Sequence, residues 1–170
     1  MPKANGTRGG IRGNLQGSNA EYFNNLVDSV AMLEEAPVVL DDTAATTLTI
    51  ATNAGVTSIV PDGTQTNTYS IPTPTVAGQH YHFIYGGAAA DAQNVIFRTV
   101  TTDNSVYFKG SIGHLDTNAN NVAIFSDGDS NEMLTVTTPQ QLDVHFISYS
   151  TTVWYVWRTA LSTTAPAFAN

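Results

Sequence analysis

The chain contains no cysteine, so it has no disulfide framework and no thiolate zinc site. Charge is scarce too. Asp, Glu, Lys and Arg make up 12% of the 170 residues, and Lys plus Arg number only 6. Soluble domains carry about 25% charged residues. No apolar run approaches the ~18 residues that a membrane span needs. Residues 1–20 lack the apolar stretch of a signal peptide, so no membrane partner is expected. No serine sits in a nucleophile elbow, and no glycine cluster precedes a helix in a phosphate-binding pattern. Paired carboxylates for glycoside hydrolysis would come from distant strands and leave no local signature. The expectation is therefore a protein with no catalytic residue and no cofactor, not an enzyme.

Threonine (24 residues) and asparagine (14) stand where charge is missing. The positive charge that remains is unevenly placed. Residues 1–20 hold Lys3, Arg8 and Arg12 with no acid, while residues 21–170 hold all 14 acids against three bases. Residues 1–17 also contain Gly6, Gly9, Gly10, Gly13 and Gly17, with Ile11 and Leu15 as the only sizeable apolar side chains. Such a segment has too little to bury to fold alone. It reads as either a loose terminus or a basic arm that orders on a neighbouring surface. Nucleic acid is not the expected partner. Three charges release few counterions, no aromatic is interleaved with them, and the acidic remainder repels phosphate.

Residues 18–36 read as one short amphipathic helix. Ser18 and Glu21 have capping-box spacing, and Pro37 stops the run. Phe23, Leu26, Val30 and Leu33 are spaced 3, 4 and 3, the step of a heptad seam. That seam packs either on the domain's own core or against copies of itself around a symmetry axis. Two heptads are too short to hold a coiled coil alone.

From residue 37 to 158 the pattern changes to period two, in short runs rich in Val, Ile, Thr, Tyr and Phe. Eleven strands are predicted: Val38–Leu40, Thr46–Thr52, Thr57–Val60, Thr68–Ile71, His80–Tyr85, Asn94–Thr101, Ser105–Lys109, Asn121–Phe125, Met133–Thr137, Leu142–Ser150 and Val153–Arg158. Turn residues separate them, and no second helical pattern interrupts them. The expected class is all-β, an antiparallel β-sandwich or jelly roll preceded by an extended N-terminal arm and one short α-helix. Threonine suits this plan, because its β-branch favours pleated positions facing water without adding charge. Residues 159–170 read as a C-terminal tail.

Three groups of residues could carry chemistry. His80 and His82 lie two apart on a strand and share a face, a spacing that can hold a metal. Cupins place a carboxylate shortly after such a pair. Here Phe83 to Gly87 supply none, so surface or interface histidines are expected and no metal site is assigned. His114 and His145 could join them only through the tertiary fold. Asp127, Asp129 and Asn131 alternate like the start of a calcium loop, but Glu132 stands where that loop needs glycine, and Thr138 where it needs glutamate. A hairpin turn is the expected role, with a weak calcium site as the alternative, and Asp41 and Asp42 leave the same alternative open. Trp154 alternates with Val153, Tyr155 and Trp157, so one side of that strand faces the core and the other the surface.

The chain resembles the small virion accessory proteins of tailed bacteriophages, above all the capsid decoration (cement) proteins. The likeness lies in the order of parts. A Gly-rich basic start (Gly6 to Gly10) leads into a capped helix and Thr/Asn-rich strands. A Pro-rich turn at Pro72 and Pro74 precedes an aromatic strand, and the body ends with Val144 to Tyr149, a short turn and Trp154-Tyr155-Val156. The resemblance implies a trimeric, non-enzymatic protein on the exterior of the capsid. Its partners would be major capsid protein and its own copies. The capsid-contact arm would use Lys3, Arg8, Ile11, Arg12 and Leu15, and the oligomer helix seam Phe23, Leu26, Val30 and Leu33. The alternative is a glycan- or receptor-binding head of a phage fibre or tail protein, which Trp154, Trp157 and the Asp/Asn-rich loops would serve. A metal-dependent enzyme built on His80 and His82 is the third reading.

Overall fold

The computed structural model describes residues 36–88, 90–116 and 121–170. The arm residues Lys3, Arg8, Ile11, Arg12 and Leu15 and the seam Phe23, Leu26, Val30 and Leu33 lie outside the described residues.

The body is all-β and built of two sheets, as its period-two pattern predicts. The larger sheet has the order β1 (Val38–Val39), β3 (Thr57–Val60), β5 (His80–Tyr85), β10 (Pro139–Ser148), β11 (Val153–Ser162), β7 (Tyr107–Asp116), β8 (Val122–Phe125). The smaller has the order β12 (Ala167–Ala169), β9 (Met133–Val136), β6 (Val95–Thr99), β4 (Asn67–Ile71), β2 (Ala45–Thr47).

Both sheets are mixed, where the sequence led us to expect antiparallel pairing throughout. The first six strands alternate between the sheets, so each of β1 to β4 pairs in parallel with the strand two further on. Val38 lies opposite Ser58, Thr57 opposite His82, Ala45 opposite Thr68 and Asn67 opposite Val95. The physical reason is connectivity. A chain that crosses to the opposite sheet after every strand returns to the first sheet running in its original direction. Hairpins join only neighbours that stay in one sheet, as with β7–β8 and β10–β11.

The local deviations from the expected strands have identifiable causes. Residues 46–52 were expected as one strand. Instead β2 ends at Thr47 and a single helical turn, α1 (Ile50–Asn53), follows. Thr49 caps it by accepting from the Thr52 N–H at 3.2 Å, while Asn53 Oδ1 accepts from the Thr49 N–H. Here local side-chain bonding outweighs β-propensity. Strand β7 runs on through Gly110 and Gly113, which weaken its sequence signal. The expected tail at 159–170 is corrected. Strand β11 continues to Ser162, and β12 pairs with the edge strand β9, Phe168 opposite Leu134. Phe168 packs against the core, which gives this short strand its anchor.

The core is one cluster between the sheets. Phe97 of the smaller sheet meets Phe83 and Phe146 of the larger, with ring centroids 4.6 and 5.4 Å apart. Tyr81, Phe108 and Trp154 are fully buried beside them. Trp154 Nε1–H donates to the Pro72 carbonyl at 3.2 Å, so its one polar group is satisfied. The inward residues of β5 are thus Tyr81 and Phe83, as alternation predicts. Its outward residues, His80 and His82, stand on the opposite face of the larger sheet.

Candidate functional site on the outer face of the larger sheet

Register across four adjacent strands builds a row of polar and aromatic side chains on this face. Thr57 of β3 pairs with His82 of β5, His82 with His145 of β10, and His145 with Trp157 of β11. Residues directly opposite on neighbouring strands bring their side chains into contact. The two imidazoles stack at 3.9 Å with 25° between their planes, and the Trp157 ring lies 5.2 Å beyond His145.

Asp143 lies two residues before His145 on β10 and so shares its face. Its Oδ1 is 3.1 Å from His82 Nε2, within hydrogen-bond geometry. The same oxygen is 3.3 Å from His145 Nε2, but outside that geometry. His145 Nε2 is therefore buried without a hydrogen-bond partner. Asp143 Oδ2 faces the Arg158 guanidinium at 3.8 Å. On its other side His82 Nδ1 shares a 3.0 Å hydrogen bond with Thr57 Oγ1. Burial, followed by the neighbouring His82, lowers the pKa of His145 below its ordinary value. Stacking two imidazolium rings would be repulsive, and a neutral His145 avoids this.

Arg158 carries the most unusual backbone in this region, with φ at 101°. A long side chain seldom occupies that region. The parallel pairing of β11 with β7 skips Trp157 and Arg158, and resumes at Thr159 opposite Gly113. This break turns the Arg158 side chain outward to Asp143, where strict alternation would send it into the core. Asp143 also lines a cleft of about 330 Å³, walled by Tyr85, Gln141, Thr159 and Leu161.

The structure separates the four histidines. His82 and His145 come together. His80, which the metal-enzyme reading pairs with His82, is exposed two residues away and is not part of the cluster. His114 is buried, and its Nε2–H donates to the Ser162 carbonyl at 3.0 Å. The Asp127 loop closes on itself. One Asp127 oxygen accepts from the N–H groups of Asp129, Ser130 and Asn131, and the other from the Ser130 hydroxyl. These bonds, the Ser130 hydroxyl foremost, hold the Asp127 carboxyl down at about 2. Asp42 is likewise engaged by the N–H and hydroxyl of Thr64. Sequence reasoning missed Asp143. Its only local signal is the alternation Asp143–His145.

A second surface depression, about 380 Å³, lies between Lys109, Phe125, Asp127, Tyr155 and Trp157. Among the described residues no helix is long and apolar enough to cross a membrane. Neither a protein-family model nor a curated protein matches this chain.

Proposed function

We propose that the protein is a non-catalytic structural virion component that binds the outer surface of a phage capsid as a trimer and stabilises the shell. One observation carries the assembly part of this reading: the outer face of the larger sheet leaves sizeable apolar side chains in water. Phe125 is 71% exposed, Tyr155 41% and Leu115 41%, and Tyr149, just past β10, is 74% exposed. Clustered apolar groups on one face mark contact surfaces. The occupant we assign is a second copy of the chain, because three copies around an axis multiply weak arm contacts into avidity. The basic segment 1–17 then reaches major capsid protein, and the acidic remainder resists adhesion to other polyanions.

Native mass measurement should give a trimer, and Tyr155→Glu should shift the mass toward monomer. Deleting residues 1–17 should leave the oligomer intact while binding to capsids is lost. A wild-type monomer at every concentration would remove the trimer, and undiminished capsid binding by the truncation would remove the arm.

A second reading, a glycan- or receptor-binding head, draws on the depression beside Tyr155 and Trp157. Aromatic rings flanked by Asp127 and Lys109 offer the apolar platform and polar groups that a sugar uses. On a glycan array at millimolar calcium, this reading expects hits that Tyr155→Ala abolishes. An array with no hits discards it.

A further inference from the structure

We infer that His82, Asp143 and His145 form a binding site for one divalent ion of the zinc class on the outer face of the larger sheet. Their ligand atoms lie within 4.8 Å of one another. An ion bound at about 2.0–2.1 Å in a tetrahedral site holds its ligands roughly 3.4 Å apart. Asp143 Oδ1 already lies 3.1 Å from one Nε2 and 3.3 Å from the other. The ligand atoms of the two imidazoles lie within 4.8 Å of each other, and binding opens the ring stack so that both planes meet at the ion.

The surroundings match what such ligands need. A histidine that binds through Nε2 carries its proton on Nδ1 and donates it to an outer partner. For His82 that partner is Thr57 Oγ1, at 3.0 Å. His145 Nε2 is buried without a hydrogen-bond partner, 3.3 Å from the carboxylate. Arg158 engages the far oxygen of Asp143, which leaves Oδ1 for the ion. All three side chains are partly buried, shielded enough to hold their geometry and open enough for an ion to enter. Two imidazoles and one carboxylate suit zinc, cobalt or nickel. Calcium and magnesium prefer all-oxygen shells. Three protein ligands leave one position of a tetrahedral ion for water or another ligand. The nearby Arg158 charge opposes the ion, so removing it should tighten binding.

The test is titration of the chelator-stripped, full-length protein with Zn²⁺, read by calorimetry and by imidazole ¹⁵N shifts. One ion per chain is expected, moving the signals of His82 and His145 and leaving His114 unmoved. Thr57→Val should weaken binding about 10-fold, and Asp143→Asn or His145→Ala at least as much. His80→Ala should leave the affinity unchanged, and Arg158→Gln should raise it. Mg²⁺ should leave both imidazole signals where they are. Failure to saturate at millimolar Zn²⁺, or shifts confined to His80, would overturn the site. So would unchanged affinity in a folded His145→Ala protein. The wild-type shifts decide the question if that variant does not fold.

Discussion

Replacing Phe97 by alanine is expected to lower the stability of the fold by about 4 kcal/mol, the middle of the range for truncating a buried phenylalanine. Phe97 is fully buried, and it is where the smaller sheet meets the larger. Its ring contacts Phe83 at 4.6 Å and Phe146 at 5.4 Å across the interface, and Tyr69 at 6.0 Å within its own sheet. Truncation leaves a cavity walled by three large rings, held by paired strands that collapse little. A domain of this size is stable by roughly 5–15 kcal/mol, so the loss is a large part of the whole. Urea unfolding measures it, and Phe97→Leu should recover much of the difference. A cost below about 1 kcal/mol would mean that the sheets do not pack through this ring.

Gly110→Ala should cost about 3 kcal/mol, from two causes that act together. Gly110 has φ at 120°, where an L side chain is strained. A Cβ there would also stand 2.2 Å from the Val156 carbonyl oxygen and 3.1 Å from the Val156 nitrogen. Those atoms belong to the backbone of β11, so no side-chain rotation relieves the clash. Relief requires β7 and β11 to separate where their pairing is about to skip two residues. Gly78 is the control. Its φ is 89°, but no atom lies within 4 Å of an added Cβ, so Gly78→Ala should cost only about 1 kcal/mol. Thermal unfolding of the two variants separates crowding from backbone strain. Equal losses would refute the steric part of the argument.

Much of the body was legible locally. Thr57–Val60 and His80–Tyr85 were expected with the bounds observed, because alternation and flanking turn residues mark them on both sides. The inward placement of Tyr81 and Phe83 followed from the same alternation, whereas Trp154, offered for glycan binding, is fully buried in the core. Strand β12 was not legible. Ala167–Ala169 is too short to show a period, and it is a strand because β9 offers an unpaired edge. The candidate site was half legible. His82 was marked as outward-facing, but the only pairing the strand itself offered was with His80, and a surface role was expected for both. The actual partners come from β10, and only the pairing of His82 with His145 brings them near.

The amino-acid sequence alone thus determined the all-β class and the alternation of faces along the central strands, with the buried face assigned for His80–Tyr85. Both follow from side-chain period, which reaches only a few residues along the chain. The tertiary structure decided parallel against antiparallel pairing, the closure of the C-terminal edge, and the meeting of His82, Asp143 and His145. Parallel and antiparallel strands share one alternation of side chains. Their direction is set by which sheet the chain crosses to next, and register then decides which outward residues become neighbours. A site assembled across β3, β5, β10 and β11 therefore has no signature in any one of them.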